Sequence, residues 1–148
     1  MTRTSISHGV QIIKRFRWSM AHRLTHGYKG RCASLHGHEY EVGVTISGHM
    51  DEMGLVVDFG DVKRVCGGWI KEHFDHTTAV YEGDKALLDF LVTEKQRHYV
   101  LPFNTTAENI AIYLRERLQE ALDQALDKEL SVIRVTLMET PNSCVETT

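Results

Sequence analysis

FRWSMAHRLTHGYKGRCASLHGHEYEV, residues 16–42, has strand-like stretches at both ends and between them a loop dense in histidine, glycine and basic residues. From its end the pattern runs on to Ser47, with Tyr40, Val42, Val44 and Ile46 on one face and Glu41, Thr45 and Ser47 on the other. That alternation is the period of a half-buried strand. Upstream, Val10 to Trp18 mixes apolar and basic residues without Gly or Pro, which suits a second strand with one buried face.

Further along, Gly48 to Gly54 supplies turn residues, and Asp58 stands before Val62, Val65, Cys66, Trp69 and Ile70 at helical spacing. Gly67 and Gly68 interrupt this amphipathic helix at a cost of about 1 kcal/mol each relative to alanine, so packing must hold it and its end is expected to fray. Thr105 with Glu108 makes a capping-box signal, and Ile110, Tyr113, Leu114, Leu118, Ala121 and Leu122 continue one helical stripe. Ile133, Val135 and Leu137 then alternate with Arg134, Thr136 and Met138, and Ser143 to Thr147 can pair back across Pro141 and Asn142. These elements predict an α+β domain: a four-stranded antiparallel sheet with two helices on one face. Tyr81 to Phe103 is the least legible segment.

At 148 residues the chain fits one domain, spanning 1–148, with a single core. A net charge of -3, spread along the chain, gives no global field for nucleic acid or membrane. No run approaches the ~20 apolar residues of a membrane span, and Met1 to Ser7 lacks an apolar signal core. Cys32, Cys66 and Cys144 make an odd number without disulfide-like spacing, which fits a reducing, cytoplasmic setting.

The unusual count is nine histidines. His36 and His38 bracket Gly37, so on a strand both imidazoles point the same way and can face a common ion. His22 can supply a third nitrogen once the chain from Leu24 to Leu35 folds back. Three neutral imidazoles suit zinc and leave a fourth position for water or substrate, as a catalytic site requires. Closing the shell with the Cys32 thiolate would instead give a structural site with no open position, and an H-x-H pair alone can be merely a polar strand end.

Phe16 to Val42, with its A-H-R-L and C-x3-H-G-H elements, resembles the zinc-binding segment of the 6-pyruvoyl-tetrahydropterin synthase superfamily. Phe74 to His76 (FDH), Thr105 to Asn109 (TTAEN) and Glu139 with Thr140 (ET) are similar to the family's remaining motifs, in the same order. The resemblance implies the tunnelling fold, in which subunits join their sheets into a barrel, and a homo-oligomer, a hexamer in the family. It implies His22, His36 and His38 as ligands of Zn2+, Cys32 as general base, Asp75 and His76 as its activating partners, and Glu139 as the pterin anchor. Beside this stands simple chemistry. A cation near a thiol favours the reactive thiolate. A carboxylate can accept two parallel hydrogen bonds from a pterin ring N–H and its exocyclic amine. Asp75 and His76 would point apart on a regular strand, so a relay through both needs a turn. Thr105 and Thr106 open a helix where free N–H groups can meet a ligand. Arg23, Lys29 and Arg31 could neutralise a triphosphate.

Three residues, Ala33, Ser34 and Leu35, separate Cys32 from His36. Animal-type pyruvoyl synthases resemble C-x5-H-G-H, whereas the shorter spacing is similar to that of the 6-carboxytetrahydropterin synthases of the queuosine pathway. The resemblance therefore implies conversion of dihydroneopterin triphosphate to 6-carboxytetrahydropterin, with acetaldehyde and triphosphate released. The alternatives are the pyruvoyl product and a zinc-stabilised pterin-binding protein without turnover.

Overall fold

The computed structural model describes residues 9–148, so the Met1 to Ser7 reading lies outside the described residues. Six strands, β1 (Gln11–His22), β2 (His36–Gly48), β3 (Thr77–Tyr81), β4 (His98–Leu101), β5 (Leu130–Thr140) and β6 (Ser143–Glu146), form one sheet in the order β4-β3-β1-β2-β5-β6. Its centre is the β1–β2 pair, antiparallel from Gln11 opposite Ser47 to His22 opposite His36. As the alternation predicts, Tyr40, Val42, Val44 and Ile46 are fully buried.

The predicted four antiparallel strands are corrected to six in a mixed sheet, because β3 runs parallel to β1 and β4 parallel to β3. Both added strands are short, and parallel pairing is made between distant segments without a hairpin turn to announce it. The β5–β6 hairpin follows the prediction, but its phase changes at an irregularity opposite Thr45 and Ile46. Arg134 pairs with Thr45 and Val132 with Ile46, leaving Ile133 as the extra residue of a bulge. Val132, Val135 and Leu137 are therefore buried, while Ile133 is only half-buried.

Asp58 caps α1 (Phe59–Val62), its carboxylate accepting the Gly60 N–H. A π-type stretch, Lys63–Gly67, leads into α2 (Gly68–His73), so the glycine pair does not end the helix. A Cβ on Gly67 would sit 3.0 Å from the Phe16 ring, which explains why the smallest residue stands where this helix crosses β1. α4 (Ala107–Ala125) buries Ile110, Ala111, Leu114, Leu118 and Leu122 against the same core as the inner faces of β1, β2 and β5. Its N-cap is Thr106, whose hydroxyl accepts the Asn109 N–H, and not Thr105.

A third helix, α3 (Lys85–Thr93), fills the segment that sequence left unassigned. On β3, Ala79 joins the main core while Val80 packs with Leu87 and Leu91 of α3. Adjacent strand residues face opposite ways, so α3 covers the other face of the sheet and the helices are not confined to one side.

Candidate metal centre

Register alone assembles the histidines. His22 is the last residue of β1 and lies opposite His36, the first of β2, while His38 follows on the same face as His36. The ring centroids of His22 and His36 are 4.8 Å apart, those of His36 and His38 4.8 Å, and those of His22 and His38 5.3 Å. Glu139, near the end of β5, brings a carboxylate to the same place. Donor atoms of His22, His36, His38 and Glu139 all lie within 4.8 Å of one another.

Hydrogen bonds fix which nitrogens face inward. His22 Nδ1 donates to the Thr105 carbonyl at 2.6 Å and His36 Nδ1 to the Ser34 carbonyl at 2.6 Å. With Nδ1 protonated, Nε2 of each ring keeps its lone pair, the arrangement that orients a metal-binding imidazole. Nε2 of His36 and of His38 is buried without a hydrogen-bond partner. His38 Nε2 lies 3.0 Å from Glu139 Oε1, yet without the alignment of a hydrogen bond. Buried orphan nitrogens are costly, and three neutral imidazoles with a carboxylate are a donor set suited to zinc. The residues present fit that ion.

Burial favours the neutral form of two of the rings, His22 and His38. Burial lowers the His22 pKa to about 4, with the Thr105 carbonyl opposing and His36 and His38 adding to the fall. Burial likewise lowers His38, against the pull of Glu139. Tyr40 is pushed up by burial and by the charges of Glu139 and Cys32.

Cys32 sits in a short 3-10 turn, Arg31–Ala33, half-buried and outside the four-donor group. Its carbonyl accepts the Leu24 N–H at 2.8 Å, tying the turn to the chain just beyond His22. Among the described residues the group is thus completed by Glu139 and not by the thiol, which disfavours the closed site with cysteine as fourth ligand. Tyr28, absent from the expected site residues, has its hydroxyl pKa raised chiefly by the neighbouring Cys32 side chain, with Glu139 adding. Its position four residues before Cys32 was the one available signal.

The turn that an Asp75–His76 pair requires is present. α2 ends at His73, Phe74 is fully buried, and His76 takes a left-handed φ of 60°. Asp75 Oδ1 then meets His76 Nδ1 at 2.8 Å and also accepts the Ser19 N–H at 3.2 Å. His76 and His38 line one open depression of about 500 Å³, together with Ser19, Met20 and Gly37. Cys32 is not in that lining.

The remaining expected contacts divide. Thr105 is buried, its carbonyl orienting His22 and its hydroxyl donating to the Arg23 carbonyl at 3.2 Å. Thr106 caps α4. Arg23 is held by Asp84 through two hydrogen bonds of 2.7 and 2.6 Å, so its guanidinium is already engaged. Lys29 and Arg31 are exposed on the loop that carries Cys32.

Comparison with known proteins agrees with this geometry. The profile of the 6-pyruvoyl tetrahydropterin synthase family matches residues 11–148. A Rickettsia bellii protein named 6-carboxy-5,6,7,8-tetrahydropterin synthase is 36% identical over 93% of this chain and 99% of its own. One of the same name from Haemophilus influenzae is 34% identical over 92% of this chain and 96% of its own. Among solved structures, an uncharacterised protein from Wolinella succinogenes superposes with a TM-score of 0.77 at 23% identity, covering 93% of this chain and 97% of its own. The 6-pyruvoyl tetrahydropterin synthase of Caenorhabditis elegans does so at 0.66 and 24% identity, covering 93% and 94%. At these identities the structural likeness speaks for the fold alone.

Proposed function

Because the chain belongs to the 6-pyruvoyl tetrahydropterin synthase family, we propose that it is a zinc-dependent 6-carboxytetrahydropterin synthase. It would convert 7,8-dihydroneopterin triphosphate to 6-carboxytetrahydropterin, releasing acetaldehyde and triphosphate, in queuosine biosynthesis. The observation that carries the reading is the convergence of His22, His36 and His38 with Nδ1 of two rings tied to backbone carbonyls and Nε2 of His36 and His38 left without a partner. The names of the Rickettsia bellii and Haemophilus influenzae relatives support the carboxy product over the pyruvoyl one.

His22, His36 and His38 would hold the ion through Nε2. When bound, zinc supplies a Lewis acid that lowers the barrier to deprotonating the substrate's side-chain hydroxyls. Cys32 serves as the base that moves protons along that side chain, and Asp75 orients His76 through the Nδ1 contact. Glu139 accepts two parallel hydrogen bonds from the pterin edge. With Arg23 engaged by Asp84, Lys29 and Arg31 are the basic residues left to face the triphosphate. The family implies a homo-oligomer, hexameric there, with sheets joined into a barrel and sites formed between subunits. Such sites would let His76 of one copy meet Cys32 of another, consistent with Cys32 lying outside the depression that His76 lines. A cytoplasmic setting would keep all three thiols reduced.

One observation favours a second reading. Glu139 completes a four-donor group, and if it stays on the metal the site is closed and the protein binds zinc without turnover. Turnover of the zinc-loaded wild-type protein separates the two, and Cys32→Ala and His36→Ala, assayed for zinc content and turnover, then test the roles of the thiol and the ligands. The enzyme reading expects Cys32→Ala to retain zinc and lose turnover, and His36→Ala to lose both. Full activity of Cys32→Ala would contradict it.

A further inference from the structure

Arg97, in the connection between α3 and β4, reaches back across the sheet edge to the end of α2. Its Nε donates to the Asp75 carbonyl at 3.2 Å, and its Nη2 donates to the Lys71 carbonyl at 3.2 Å and to that of Glu72. The last carbonyls of a helix have no partner within it, and a cation there also opposes the negative end of the helix dipole. A helix cap would need no more. The third bond goes further, because the Asp75 carbonyl belongs to the peptide that joins Asp75 to His76. The N–H of that same peptide donates to the Ser19 carbonyl at 2.8 Å. The peptide is therefore gripped at both ends, by β1 on one side and by Arg97 on the other.

That grip falls where the backbone is least able to hold itself. His76 has φ of 60°, a left-handed conformation that is strained for a non-glycine residue. Its side chain is 78% exposed, so packing does little to fix the ring. We propose that Arg97 is a positioning residue for His76, locking the Asp75–His76 peptide in the turn that keeps the imidazole against Asp75 and in the depression shared with His38. The proposal rests on the reading of His76 as part of the catalytic machinery. Arg97 itself lines the same depression, so direct contact with substrate is the competing role that the test must separate.

The test compares Arg97→Ala and Arg97→Lys with the wild-type protein, in wild-type and His76→Ala backgrounds. It reads kcat, KM, zinc content and hydrogen exchange of the His76 backbone amide. Arg97→Ala should lower kcat by ~10–100-fold, the scale of a catalytic group displaced by about 1 Å, with KM within about twofold and zinc retained. Exchange of the His76 amide should accelerate at least ~10-fold. In the His76→Ala background, Arg97→Ala should cause no further fall in kcat. Arg97→Lys should restore activity only in part, since an ammonium lacks the planar fork that spans the helix end and Asp75. Wild-type kcat in Arg97→Ala, an equal fall in both backgrounds, or a raised KM with kcat intact would each overturn the proposal. If His76→Ala alone keeps full activity, the role given to His76 fails by itself. The amide exchange then decides separately whether Arg97 holds the turn, and unchanged exchange refutes that too.

Discussion

Acidifying the metal-free protein should destabilise it through His22 before most of its carboxylates titrate. The ring is 1% exposed, and its pKa falls from 6.5 to about 4 in the folded state. The unfolded chain takes up a proton below pH 6.5, while the folded chain refuses it until about pH 4. Stability is thus fully present above the unfolded pKa and is lost as pH falls through the window down to the folded one. A gap of this size corresponds to roughly 3 kcal/mol lost between pH 7 and pH 4, about 2 kcal/mol of it by pH 5. Urea denaturation in the presence of a chelator, followed by tryptophan fluorescence at several pH values, measures it. Comparison with His22→Gln isolates the contribution, because the other titrating groups are common to both proteins. If the two proteins lose stability in parallel between pH 7 and pH 4, burial of a neutral His22 is not what the fold depends on there.

Asp84→Asn should destabilise the protein by about 1–3 kcal/mol in chemical denaturation, since Asp84 both pairs with Arg23 and caps α3 through the Leu87 N–H. Leu114→Ala, at a fully buried position of α4, should cost about 2–5 kcal/mol by the same measurement. Glu139→Gln should keep its zinc by metal analysis but weaken pterin binding by ~10–100-fold in calorimetric titration. Loss of zinc in that variant would instead place the carboxylate on the metal.

The central hairpin was legible because one strong period runs through Tyr40, Val42, Val44 and Ile46, and the histidine pair sits in phase with it. α4 and the β5–β6 hairpin were legible for the same reason, with the phase mistaken only at Ile133, where a bulge leaves no trace in composition. β3, α3 and β4 were not. Their strands are short, pair in parallel with distant partners, and pack α3 on the face opposite the main core. Within the metal-binding group, the histidines announce themselves by spacing, whereas their supports do not. Thr105 orients His22 through a carbonyl that any residue could offer, and Arg97 grips the Asp75–His76 turn from more than twenty positions away. Engagement of Arg23 by Asp84 is equally invisible before folding.

The most direct test incubates zinc-loaded protein with 7,8-dihydroneopterin triphosphate, identifies the pterin product by mass spectrometry and assays acetaldehyde in parallel. The account predicts 6-carboxytetrahydropterin and acetaldehyde in equal amounts. A pyruvoyl product without acetaldehyde, or no turnover with zinc fully bound, would contradict it.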